Sequence, residues 1–122
     1  MRTVKEHVIA KRVTLKSYSE HDAESRHVLY TDSWDEPIDR VECADGFSMS
    51  VQHSRRHYCE PKVNRAEDRG MDFISYEVGF PSEKVEEFMP YAEDSCNPCE
   101  TVYAYVPADI VEAVAAAHGG VI

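Results

Sequence analysis

An Asp45-Gly46 step set between two alternating runs constrains this chain more than any other feature. Val41 and Cys43 precede it, and Phe47, Met49 and Val51 follow it in alternation with Ser48, Ser50 and Gln52. A period of two puts the apolar side chains on one face of a strand, and Asp-Gly between two such runs is a strong short-range hairpin signal. The turn expected is type I′, with positive φ at both central residues. A β-hairpin over 38–53 therefore seeds an antiparallel sheet.

The other elements are read around that hairpin. His7, Ile9, Lys11, Val13 and Leu15 share one side of a strand over 7–15, although Val4, Val8 and Ile9 would also face one way on a helix. Residues 18–24 read as a loop, and Val28-Leu29-Tyr30 as a short strand stopped before Pro37. Residues 54–70, polar and broken by Pro61, read as an exposed loop whose length argues for a function. A strand over 72–80 puts Ile74, Tyr76, Val78 and Phe80 on one face. Pro81 stops it, and Ser82 is placed to cap a short helix that buries Val85, Phe88 and Met89 and ends at Pro90. Thr101 to Val106 is dense in Val and Tyr and reads as a strand. Pro107 opens a last helix with a buried stripe of Ile110, Val111, Val114 and Ala117, closed by Gly119-Gly120, with His118 at the negative end of its dipole. The expectation is one α+β domain over 1–122: an antiparallel sheet of four to five strands, with the short helix and the C-terminal helix on one face.

Charge limits what such a domain does. The formal net charge is −10 on 122 residues, with 43% hydrophobic and 30% charged residues. This is a globular composition, and its sign disfavours direct binding to a phosphate backbone, where cations must replace counterions. No apolar run approaches the roughly 20 residues of a membrane span, and the N-terminal residues lack the apolar core of a signal peptide. A cytoplasmic protein is expected, whose four cysteines stay reduced.

Cys96-Asn97-Pro98-Cys99 has metal-ligand spacing. Structural zinc takes four Cys or His ligands, usually as two close pairs, so Cys96 and Cys99 would need a second half such as His57 and Cys59, with His53 nearby. The simpler reading is a pair of reduced surface thiols, with zinc as the alternative and otherwise no cofactor. Thiol–disulfide catalysis is disfavoured because acidic Asp94 and Glu100 flank the pair, and because a strand follows where redox motifs use a helix N-terminus. Cys59 with His57 or His53 would make a nucleophile–base pair, but the segment has no glycines suited to an oxyanion hole. No nucleotide-binding loop or nucleophile elbow is present, and the chain reads as a binding protein before an enzyme.

Two charged segments remain as binding surfaces. Glu83, Glu86, Glu87, Glu93 and Asp94, with Glu100 beyond, surround the short helix and turn outward when its apolar residues are buried. Such a cluster suits a basic partner. Arg55, Arg56, Tyr58 and Arg65 join cationic and aromatic side chains, which suits a phosphorylated small molecule.

Two stretches also carry a resemblance. One is Asp45-Gly46-Phe47-Ser48-Met49-Ser50-Val51-Gln52 with His57-Tyr58-Cys59. The other runs from Gly79-Phe80-Pro81-Ser82 through Met89-Pro90-Tyr91-Ala92-Glu93-Asp94 and Thr101-Val102-Tyr103-Ala104-Tyr105-Val106-Pro107 to His118-Gly119-Gly120. Together they resemble small bacteriophage- and prophage-encoded accessory proteins. The Cys96–Cys99 pair departs from that pattern, which weighs against a fold-defining zinc site. The resemblance implies a non-enzymatic product of the bacterial cytoplasm that binds and modulates a host or antiviral-defence factor.

Overall fold

The structure, a computed structural model, describes residues 2–11, 37–64 and 66–122. The loop expected over 18–24 and the strand at Val28-Leu29-Tyr30 lie outside the described residues. Among the described residues four strands form one antiparallel sheet in chain order: β1 (Val41–Glu42), β2 (Ser48–Gln52), β3 (Ser75–Gly79) and β4 (Val102–Pro107). A helix over residues 4–11, α1, precedes the sheet, and α2 (Ala108–Ala117) follows it and packs on β3 and β4. Two 3-10 helices, Ala66–Arg69 and Glu86–Tyr91, lie in the connections. The α+β fold expected from the sequence is the fold found.

The hairpin forms where the alternation places it, with Val41 opposite Met49 and Glu42 opposite Ser48. Its turn is not type I′. Cys43 N–H donates to Phe47 O (2.8 Å) and Gly46 N–H to Cys43 O (3.0 Å), which makes a three-residue loop with positive φ (97°) at Gly46 but not at Asp45. The Asp45 carboxylate accepts the Phe47 N–H (2.9 Å), an Asx-type bond that organises the turn without a left-handed Asp45. Cys43, Met49 and Val51 are buried.

The strand expected at the N-terminus is a helix over its described part, 4–11. Residues 12–15 lie outside the described residues. A helix buries Val4 and Val8 completely, four residues apart, and leaves Lys5, Glu6 and Ala10 in water. Its start is a capping box: Thr3 Oγ1 accepts the Glu6 N–H (3.1 Å), while Glu6 Oε1 accepts the Thr3 N–H (3.2 Å) and hydroxyl (3.0 Å). The next two orphan donors are met from the far end of the chain. Glu112 Oε1 accepts the Val4 N–H (2.7 Å) and Glu112 Oε2 the Lys5 N–H (3.0 Å).

β3 is shorter than the run of alternation. Tyr76 and Val78 are buried as expected, but Ile74 and Phe80 are exposed. Ile74 lies before the ladder, its N–H held by Glu60 O and its carbonyl by the Ala108 N–H. Phe80 takes a φ of 49°, which turns its ring away from the core, and the Arg40 guanidinium donates to its carbonyl (2.6 Å). Tyr76 pairs with Val106 and Val78 with Tyr103, so β4 carries one residue more than β3 across this step. The bulge holds Tyr105 at a φ of 54°, a left-handed backbone uncommon for an aromatic residue, and sends its N–H to Tyr58 O (3.0 Å).

Ser82 does not cap a helix. Its hydroxyl accepts the Ser48 N–H (3.0 Å) and its own N–H donates to Ser48 O (2.8 Å), so it extends the pairing with β2 beyond the end of β3. The turn that follows is 3-10 rather than α, with Val85 and Phe88 buried and Met89 packed against the core. In α2 the buried stripe is Val111, Val114 and Ala115. Ile110 is partly buried, and Ala117 is exposed because it lies about 240° around the helix from Val111. Gly120 N–H to Ala115 O (2.9 Å) and Gly119 N–H to Ala116 O (3.0 Å) close α2 as a Schellman motif.

Substitutions at three positions test these contacts, each read by urea unfolding. Glu112→Ala removes a carboxylate from two helical N–H donors and lowers stability by about 2 kcal/mol, while Glu112→Gln, which keeps one acceptor, loses less. Gly46→Ala costs about 1 kcal/mol from backbone strain alone, since no atom lies within 4 Å of its would-be Cβ. Gly119→Ala costs more, because the same strain (φ 93°) is joined by a Cβ contact of 2.9 Å with Ala44.

Candidate functional site

The acidic segment is built as an exposed ridge. Burial of Val85 and Phe88 against β4 turns Glu83, Glu86, Glu87, Glu93, Asp94 and Glu100 outward, and all six are exposed. They are not equivalent. Glu83 Oε1 lies 3.7 Å from His118 Nε2, and Glu86 Oε1 lies 3.2 Å from Lys84 Nζ. Asp94 folds its own loop: its carboxylate accepts the Asn97 side-chain amide (2.8 Å) and the Cys96 N–H (3.0 Å), and these two bonds hold its pKa below the usual carboxylate value. Glu87, Glu93 and Glu100 make no side-chain hydrogen bond or ion pair with a described residue. The charge without a counter-charge is thus concentrated on these three.

His118 joins this ridge to the hairpin. Its ring stacks on Phe47 at 4.1 Å and 10°, and its Nδ1 lies 2.7 Å from Asp45 Oδ2. Asp45 has a lowered pKa, first through the Phe47 N–H and then through His118.

The thiol loop is tied to the core by Tyr103, which is fully buried and donates its hydroxyl to Pro98 O. Cys96 and Cys99 are exposed at the end of the sheet where Gly79 pairs with Val102. Cys59 is buried beside Glu60, which pairs with Ser75 at the other end of β3, and its thiol donates to Ser54 O (3.1 Å). His57 Nδ1 meets Ser54 Oγ at 2.5 Å within the same turn. Among the described residues no three His, Cys, Asp or Glu side chains gather as a metal-binding group. Ser54 and Cys59 are both buried, so neither offers a nucleophile to a substrate.

The segment expected as an exposed loop over 54–70 is in good part packed. Ser54, Cys59 and Ala66 are buried, the Arg55 N–H donates to Asn64 Oδ1 (2.9 Å), and the Arg56 N–H to Ser54 Oγ (3.1 Å). The side chains themselves impose this, because Ser54 and Asn64 satisfy backbone donors that an open loop would leave to water. Tyr58 remains 44% exposed beside Tyr105 at 41%, with ring centroids 6.0 Å apart and Lys62 Nζ 5.2 Å from the Tyr58 centroid. Arg65 lies outside the described residues. Tyr105 was not among the residues singled out from the sequence, where nothing marks it as a bulge. Among the described residues no helix is long and apolar enough to cross a membrane.

Thiol chemistry checks this placement. In the native protein the exposed Cys96 and Cys99 are expected to react promptly with an aromatic disulfide reagent, and the buried Cys43 and Cys59 only on unfolding. Prompt reaction of all four would contradict the burial described.

No protein-family model matches the chain, and no curated protein or solved structure does. The functional reading therefore rests on the chain's own residues.

Proposed function

We propose that this protein is a non-enzymatic accessory protein of bacteriophage type that acts in the bacterial cytoplasm by binding a basic surface of a host or antiviral-defence protein. The observation that carries the reading is the ridge around Glu86–Tyr91, where Glu87, Glu93 and Glu100 are exposed without a described counter-charge. Neighbouring carboxylates repel one another and give the fold no help. A cationic partner relieves that repulsion, and the long-range field of a −10 chain speeds its approach. The phage assignment rests on the resemblance of the two sequence stretches. The non-enzymatic part is supported by the burial of Ser54 and Cys59 and by the placement of Cys59 at the opposite end of β3 from Cys96 and Cys99.

Capture of a partner from bacterial lysate tests the proposal. Capture weakens as salt rises, by about tenfold or more between 50 and about 500 mM salt. Replacing Glu87, Glu93 and Glu100 with Lys abolishes it and leaves the melting temperature within about 3 °C of the parent value. Capture that survives the triple reversal, or that ignores salt, assigns the ridge to solubility alone.

A further inference from the structure

In a chain this acidic, a place where cations gather without full compensation is conspicuous. One such place is a cleft of about 400 Å³ between α1 and the segment that enters β1. Arg2 and Lys11 reach it from the helix side, and Arg40 from the strand side. Lys11 Nζ is 3.1 Å from Asp39 Oδ2, so that pair cancels. Among the described residues the Arg40 guanidinium donates to neutral oxygens, Ser48 Oγ (3.0 Å) and Phe80 O (2.6 Å), which fix it in place without a described counter-charge. Arg2 makes no side-chain hydrogen bond or ion pair with a described residue. Among the described lining residues the one acidic side chain besides Asp39 is Glu42, and the Ile122 side chain adds an apolar side.

The cleft also has a reporter. His7 lines it and is only 5% exposed. Its Nε2 lies 3.0 Å from Asp39 O, and because a carbonyl only accepts, Nε2 carries the proton. Burial lowers the pKa of His7; the bond to Asp39 O opposes this, and the positive fields of Arg2 and Lys11 add to it. A negative charge arriving in the cleft would offset those positive fields and favour protonation of the imidazole.

We propose that this cleft binds a small oxyanion, a carboxylate or phosphate group, through the guanidinium groups of Arg2 and Arg40. Guanidinium is the side chain best suited to planar, paired hydrogen bonding with such oxygens, and Arg40 is already held by neutral acceptors before any ligand arrives. This site is separate from the acidic ridge and does not depend on the function proposed for it.

The test is titration of the full chain with inorganic phosphate, and separately with acetate, at constant ionic strength, with the His7 ring followed by NMR. The expected result is a saturable His7 shift with either ion and a His7 pKa raised by about half a unit or more at saturation. Arg2→Gln weakens binding by about tenfold or more, and Lys62→Gln, far from the cleft in sequence and lining none of it, leaves binding unchanged. Because Arg40 also holds Phe80 O, Arg2→Gln carries the decision, with an unchanged melting temperature as the folding check. Stronger binding of phosphate than of acetate identifies a phosphorylated ligand, and the reverse a carboxylate. The proposal is overturned by a His7 shift that does not saturate below about 20 mM. It is equally overturned if chloride alone reproduces the shift, or if folded Arg2→Gln protein binds as the parent does.

Discussion

The carboxylate of Glu112 is the joint on which the placement of the N-terminus turns. A helix as short as the described part of α1 is marginal by itself, because its first turn leaves backbone donors unsatisfied for few hydrogen bonds gained. Thr3 and Glu6 meet part of that deficit locally. Glu112 meets the rest from α2, across 108 residues of chain for Val4. A charge-assisted bond to two adjacent N–H groups does more than cap; it fixes where the helix starts relative to the sheet. Everything that α1 presents then follows, including Val4 and Val8 to the core and His7 and Lys11 toward residues 39–42.

Both edges of the sheet are closed by irregular chain. On the β1 side, Val121 bridges to Cys43 and to Arg2, and the Ile122 N–H donates to Glu42 O. On the β4 side, Ala92 bridges to Tyr103, the Glu93 N–H donates to Val102 O, and the bulged Tyr105 N–H is taken by Tyr58 O. An open edge is a template for pairing with another chain, and short covering segments together with a bulge remove it. The left-handed backbone at Tyr105 belongs to this arrangement: it aims one N–H away from the ladder, toward the covering loop.

What could be read from the sequence divides along the same line between local and distant. The hairpin was legible because alternation and Asp-Gly act within a dozen residues, and only its turn geometry differed, through the Asp45 side chain. The α1 helix was misread because residues 7–15 fit a period of two about as well as Val4 and Val8 fit a helix. The Thr3-x-x-Glu6 box would have decided it. Ile74 and Phe80 fit the alternation but lie beyond the ladder at either end, so period alone placed them wrongly. The acidic ridge was legible because exposure of its carboxylates follows from burial of Val85 and Phe88 next to them. The cleft was not, since it joins residues 2–11 to residues 39–42 only through the fold. Nor was the separation of Cys59 from Cys96 and Cys99, which depends on the direction of β3.

The order of the sheet carries a kinetic consequence. Because β1 to β4 lie side by side in the order of the chain, each strand finds its partner by closing a single connection, and the entropy of each closure is small. The contacts of α1 with Glu112 close nearly the whole chain at once. The meander can therefore gather before the N-terminus docks, and the docking of α1 then completes its side of the cleft.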